Sequence, residues 1–84
     1  MNQLSDLPNI GTELQKQLMQ VEIKSFEQLR RIGAEKAWLK IQAIDGSACL
    51  HRLYALEGAI QGIKKSELSD ERKQELREFF HWNK

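Results

Sequence analysis

One cysteine, one proline and two histidines are all that this 84-residue sequence offers of those three residue types. A single cysteine closes no internal disulfide, and with two histidines far apart it forms no metal-site spacing. Such cysteine usage suits a reducing compartment, and the cytoplasm is the expected location. No apolar run approaches the ~18 residues that a membrane span needs. The opening, MNQLSDLPNIG, lacks the basic and apolar regions of a signal peptide. Charge of one sign is missing too: 13 Lys and Arg stand against 12 Asp and Glu, a net +1. That balance speaks against holding nucleic acid through an overall field, while leaving room for a local basic patch.

What is present describes a single soluble domain over residues 1–84. Hydrophobic residues make up 40% and charged residues 30%, the proportions of a folded chain. A chain of this length buries roughly 60–65% of its unfolded surface, which sets the expected net stability at about 4–12 kcal/mol. No stretch alternates with period two, and no β-branched run lies between turn residues, so no strand is expected. There is no internal repeat and no low-complexity tract.

The organising stretch is Ser47 to Ile63. Cys49, Leu53, Leu56, Ile60 and Ile63 repeat at helical spacing and predict a core-facing stripe. Ala48, Ala55, Ala59 and Gly62 form a second stripe of small residues, which predicts a helix covered on two sides. Ser47 reads as its N-cap, after an Asp45-Gly46 turn.

Four shorter helices are expected around it. One runs over about 11–21, with Ile10, Leu14, Leu18 and Val21 inward. A second opens at Ser25 in a capping box with Gln28, buries Phe26, Leu29 and Ile32, and ends at Gly33. The third, over 34–44, turns Ala34, Ala37, Trp38, Ile41 and Ile44 to one side. After a loop over 64–68, Ser69-Asp70-Glu71 opens a last helix whose acids suit the dipole; Leu76, Phe79 and Phe80 form its apolar face, with Leu68 just ahead. The fold class is thus all-α: a compact bundle of about five short helices around a central one.

Residues able to carry chemistry are few. Cys49 reads as a small buried hydrophobe, and neither His51 nor His81 has an obvious acid or nucleophile near it in sequence. Glu57, in the most apolar stretch, reads either as a carboxylate poised for acid–base work or as half of an ion pair with Arg30 or Arg31. Arg52 borders the core stripe, its stem packed and its charge in water. The charges of the last helix read as a solvated face, and Trp82 as a loose terminus or a partner contact. No catalytic residue, metal ligand, cofactor or small-molecule substrate is expected.

The LPNIG turn is the one candidate for ligand contact through the backbone. A Pro-bounded turn with glycine opening a helix aims unpaired N–H groups at an anion. Helix-hairpin-helix motifs hold DNA phosphates with a similar turn, often L-P-G-I-G. Asn9 replaces its first glycine and tolerates left-handed φ, or caps the helix itself. The candidate nucleic-acid-binding residues are Asn9, Ile10, Gly11, Thr12, Lys16 and Lys24, the two lysines diluted by Glu13 and Glu22.

As a whole, LSDLPNIG, IKSFEQLRRIGAEKAWLKIQ and ACLHRLYALEGAIQGI resemble the C-terminal domain of the TfoX/Sxy competence regulators. The resemblance covers residues 4–80 and is most specific in LYALEGAIQGI. It implies a helix-hairpin-helix or SAM-like helical fold, a bacterial source, a link to DNA transformation, and no catalytic activity or cofactor. Full-length regulators carry another domain ahead of this one, whereas here Met1 stands just before the motif, which makes a stand-alone version the expectation. Glu22 stands where relatives often have glycine, and Lys64-Lys65-Ser66 replaces their common Arg-Trp-His. Two roles are expected to compete: protein interaction or self-association in transcriptional regulation, and weak, sequence-independent contact with the DNA backbone.

Overall fold

Helix ends in this chain are set by serine caps at two helix starts, Ser25 and Ser69, and by backbone bonds at two helix ends, around Glu22 and Gly62. The computed structural model describes residues 4–83; the expectation attached to Met1 lies outside them. In order come a 3-10 turn Leu4–Asp6, α1 (Thr12–Gln20), α2 (Phe26–Ile32), α3 (Ala34–Ile44), α4 (Leu50–Gln61), a 3-10 turn Lys65–Glu67 and α5 (Asp70–Asn83). The described residues contain no strand and no helix long and apolar enough to cross a membrane. The fold is all-α. The LPNIG turn joins a 3-10 turn to α1 rather than one helix to another.

Ser25 caps α2 as expected, its Oγ accepting from Gln28 N–H at 3.2 Å. The return bond differs by one residue: Gln28 Oε1 accepts from Lys24 N–H at 2.6 Å, not from Ser25. At the end of α1, Ile23 N–H bonds Leu18 O at 2.8 Å and Glu22 N–H bonds Met19 O at 3.0 Å, with Glu22 at φ 66. This is a Schellman ending, in which glycine is the usual left-handed residue. Here a glutamate holds that positive φ. At the end of α4 the same motif has Gly62 in that place, with Ile63 N–H on Gly58 O at 2.9 Å.

The core is one cluster with α4 in the middle, packed against α3, α5 and α2. A radius of gyration of 11.6 Å matches the ~12 Å of a compact chain of this length, so the five helices form one body. Leu18, Leu29, Trp38, Ile41, Leu53, Leu56 and Leu76 are fully buried. Trp38 is the joint. Its indole N–H donates to Cys49 O at 3.1 Å, and Phe79 and Phe80 meet its ring edge-on at 6.1 and 5.5 Å. Such ring pairs add about 0.5–1.5 kcal/mol each beyond burial.

Several expectations need correction. Cys49 is exposed and forms the extended N-cap of α4, because Asp45 Oδ1 captures the Ser47 N–H and hydroxyl and bends the chain before the helix starts. Ser47 is therefore held by Asp45 and does not cap α4. Ile44 is 50% exposed: the apolar period of α3 runs one residue beyond the surface it covers. Gly62 leaves the small-residue stripe for the exposed helix end, while Ala48, Ala55 and Ala59 are buried as expected. Arg52 is half-buried, and its guanidinium pairs with the partly exposed Asp45 at 3.1 Å.

Candidate functional site

Pro8 and the LPNIG turn set Asn9 at φ 69, and its side chain does not cap α1. It reaches across the molecule instead. Nδ2 donates to Ile63 O at 2.9 Å, and Oδ1 accepts from Lys65 N–H at 3.0 Å. This clamp fastens the opening segment to the exit of α4. It also requires Gly58, since a Cβ there would collide with Asn9 Nδ2 and lie 2.8 Å from Ile63 O. The N-cap of α1 is Gly11, with no side-chain bond to the first-turn amides.

The six candidate residues are not all brought together. Ile10 is 5% exposed, and its side chain belongs to the core. Gly11, Thr12 and Lys16 lie on the exposed first turns of α1. Lys24 lies beyond the other end of that helix, ~13 Å away for nine residues at 1.5 Å each. The clamp brings other cations to the turn. An open cleft of about 660 Å³ is lined by Pro8 and Asn9 on one side and Gly62 to Glu67, including Lys64 and Lys65, on the other. Through Lys65 and Ser66 it adjoins a second cleft of about 280 Å³, lined also by His51, Tyr54, Lys73 and Arg77. Lys64-Lys65 was visible in the sequence as a departure from relatives, but its proximity to Asn9 depends on a contact across 56 positions.

Glu57 is half of an ion pair, and its partner is Arg72 rather than Arg30 or Arg31. One guanidinium joins three helices: Arg72 donates to Glu35 at 3.0 and 2.9 Å, to Glu57 at 2.9 Å and to Glu75 at 3.1 Å. Gln61 Nε2 occupies the other Glu57 oxygen at 2.6 Å. Burial is the largest single influence on Glu35 and opposes its charge, but the Arg72 hydrogen bonds, a backbone hydrogen bond at Glu35 and the Arg72 charge together outweigh it and hold this carboxyl below its usual range. Hydrogen bonds to Glu57 and Glu35 push Arg72 up in turn. A carboxylate engaged on both oxygens is a structural latch, and the fork geometry of arginine is what permits several such bonds at once.

Asp45 is a second node. It accepts from Ser47, from Gln17 Nε2 at 2.7 Å and from Arg52 at 3.1 Å. The Ser47 hydroxyl first, then the Ser47 N–H, Gln17 and Arg52, hold its carboxyl well below the ordinary carboxylate range. His51 and His81 stack edge-on against Tyr54 and Phe80. Among the described residues, no group of three or more His, Cys, Asp or Glu gathers as metal ligands would.

Protein Sxy of Escherichia coli is 40% identical over 76 residues, which are 90% of this chain and 36% of that protein. The DNA transformation protein TfoX of Haemophilus influenzae is 33% identical over 76 residues, 90% of this chain and 35% of that protein. The chain thus spans about a third of the length of these two relatives. A triclinic crystal structure of an uncharacterized Listeria monocytogenes protein superposes with a TM-score of 0.91 at 44% identity, over 92% of this chain and 88% of that one. A tetragonal form of a Listeria monocytogenes protein of unknown function gives 0.94 at 42% identity, over 96% and 99%. The TfoX C-terminal domain family matches residues 1–80, nearly the whole described fold, and the chain belongs to that family.

Proposed function

We propose that this domain is a non-catalytic module of competence regulation, acting in the cytoplasm by docking a second protein in the transcriptional control of DNA transformation. The observation that carries the docking is Trp82, 85% exposed on a helix end that is tied down. Asn83 Nδ2 donates to Phe79 O at 2.8 Å, and Gln42 Nε2 donates to Asn83 O at 2.7 Å. An indole held in water by an ordered turn is the kind of aromatic anchor that dominates protein interfaces. The absence of chemistry is supported by the structural occupations of Glu57, His51 and His81. The context is supported by the relative that is a DNA transformation protein.

Grafting residues 4–83 into the matching segment of the Haemophilus influenzae protein and counting transformants tests this reading. The graft is expected to support transformation, and Trp82→Asp to lower it roughly tenfold or more, as loss of a binding hot spot would, with unchanged thermal melting. A folded graft that yields no transformants overturns the competence role. A Trp82→Asp graft as active as its parent overturns the docking.

A second reading rests on the uncapped first turn of α1: weak DNA-backbone contact through Asn9, Ile10, Gly11 and Thr12, helped by Lys16 and Lys24. It predicts that Lys16→Glu with Lys24→Glu weakens binding to duplex DNA at low salt. Unchanged binding in that variant refutes it.

A further inference from the structure

The chain carries a net charge of only +1, yet its charges are sorted in space. The cleft between the start of α4, the Lys65–Glu67 turn and α5 is lined by Lys65, Lys73, Arg77, His51, Tyr54 and Ser66, with no carboxylate among them. None of the three cations belongs to an ion pair among the described residues. The neighbouring acids of α5 are drawn elsewhere, Glu75 to Arg72 and Glu78 to Gln74. Lys73 and Arg77 stand four apart on one helix face, a like-charge placement that costs about 0.2–0.5 kcal/mol. Among the described residues no ion pair offsets it.

We propose that this cleft seats the phosphate backbone of a nucleic-acid strand, with Lys65, Lys73 and Arg77 as the phosphate contacts and Tyr54 and His51 as an aromatic wall for sugar or base. The cations project from fixed backbone. The Lys65 N–H is held by Asn9 at 3.0 Å, the Tyr54 hydroxyl donates to Lys73 O at 3.4 Å, and the Lys73 amine reaches Ser66 O at 3.4 Å. The cleft is open and runs past Lys65 and Ser66 into the one containing Lys64. A polymer of phosphates fits such a track better than a small anion does, and a basic groove with aromatic walls is a recurrent way to hold single strands. Trp82 does not line the site, and the opening turn meets it through the Asn9 bond to Lys65; the Lys16→Glu, Lys24→Glu pair distinguishes it from contact through the first turn of α1.

Anisotropy of a labelled strand of about 20 nucleotides, single and duplex, tests it across a salt series. Three phosphate contacts give a slope of log affinity on log salt of about −2 for single strands and −2.7 for duplex. For duplex this is a loss of ~40-fold between about 50 and 200 mM salt. Lys73→Glu with Arg77→Glu is expected to abolish binding at low salt. Lys16→Glu with Lys24→Glu, an equal change in net charge, should leave it within about twofold. Lys65→Ala with Arg77→Ala, at two exposed positions, should flatten the slope by about two for duplex and serves if the reversed pair fails to fold. Absence of binding at low salt overturns the proposal. So does equal weakening by the two charge-reversed pairs, which marks a general field, or displacement by polyglutamate or tripolyphosphate as readily as by unlabelled strand, which marks an unspecific anion surface.

Discussion

Replacing Gly58 with alanine sets two effects of opposite sign against each other. Gly58 lies inside α4, where Gly→Ala ordinarily stabilises by about 1 kcal/mol through helix propensity. Here the new methyl would collide with Asn9 Nδ2 and sit 2.8 Å from Ile63 O and 3.2 Å from Lys65 N. A side chain could swing away; the Ile63 carbonyl is backbone, fixed by the Schellman ending of α4. Displacing Asn9 breaks its bonds to Ile63 O and Lys65 N–H, at 2.9 and 3.0 Å. Each bond contributes about 0.5–1.5 kcal/mol, and the steric shift adds about 1–3 kcal/mol. Against the propensity gain, the net is a destabilisation of about 1–5 kcal/mol. Urea denaturation of Gly58→Ala, Asn9→Ala and the double variant measures it. The double variant should lose clearly less than the sum, because without Asn9 the methyl meets only the carbonyl side. A Gly58→Ala protein that is more stable than the parent, or strict additivity, would refute the clamp as the reason for glycine.

Arg72→Met should destabilise by about 2–4 kcal/mol in the same assay, since it leaves Glu57, 8% exposed, without its countercharge. Glu57→Gln should cost less, about 1 kcal/mol, because Arg72 keeps Glu35 and Glu75. Glu22→Gly should stabilise by about 1 kcal/mol, releasing a left-handed residue with φ 66, and raise Tm by roughly 4–8 °C. Glu35 and Asp45 are both held below the ordinary carboxylate range. Their contribution is therefore complete above their unfolded values near pH 4 and is lost as pH falls through the lower folded ones. Stability measured by denaturant titration should decline below about pH 4, and Glu35→Gln with Asp45→Asn should flatten that decline.

The helices were legible wherever a local signal marks them. Ser25, Gly33 and Asp45 bound α2 and α3 because caps and turns act within four residues of chain, and Leu53 and Leu56 show their inward side by spacing alone. Periodicity cannot tell the last residue of a cap from the first turn of a helix, so Cys49 falls on the stripe on paper and outside it in space. It likewise says nothing of how far a neighbour extends, which is why Ile44 reads as core. The partners of Glu57 and Asn9 were illegible for a different reason. Arg72 lies in a run of alternating charges that looks uniformly solvated, and only the approach of α3, α4 and α5 selects it. Lys65, Lys73 and Arg77 become one cleft by the same folding step, so no spacing along the chain could have grouped them.

The latch between Asn9 and the far end of α4 has a kinetic corollary. Its halves are separated by 54 and 56 positions, so it cannot close until the intervening helices have shortened the distance between them, and the loop entropy it must overcome is largely met by their docking. Residues 4–12 therefore join the domain late and leave early. Hydrogen exchange should find the amides around Leu7–Ile10 opening at lower free energy than those of α3 and α4, which makes this seam the natural place for the molecule to breathe without coming apart.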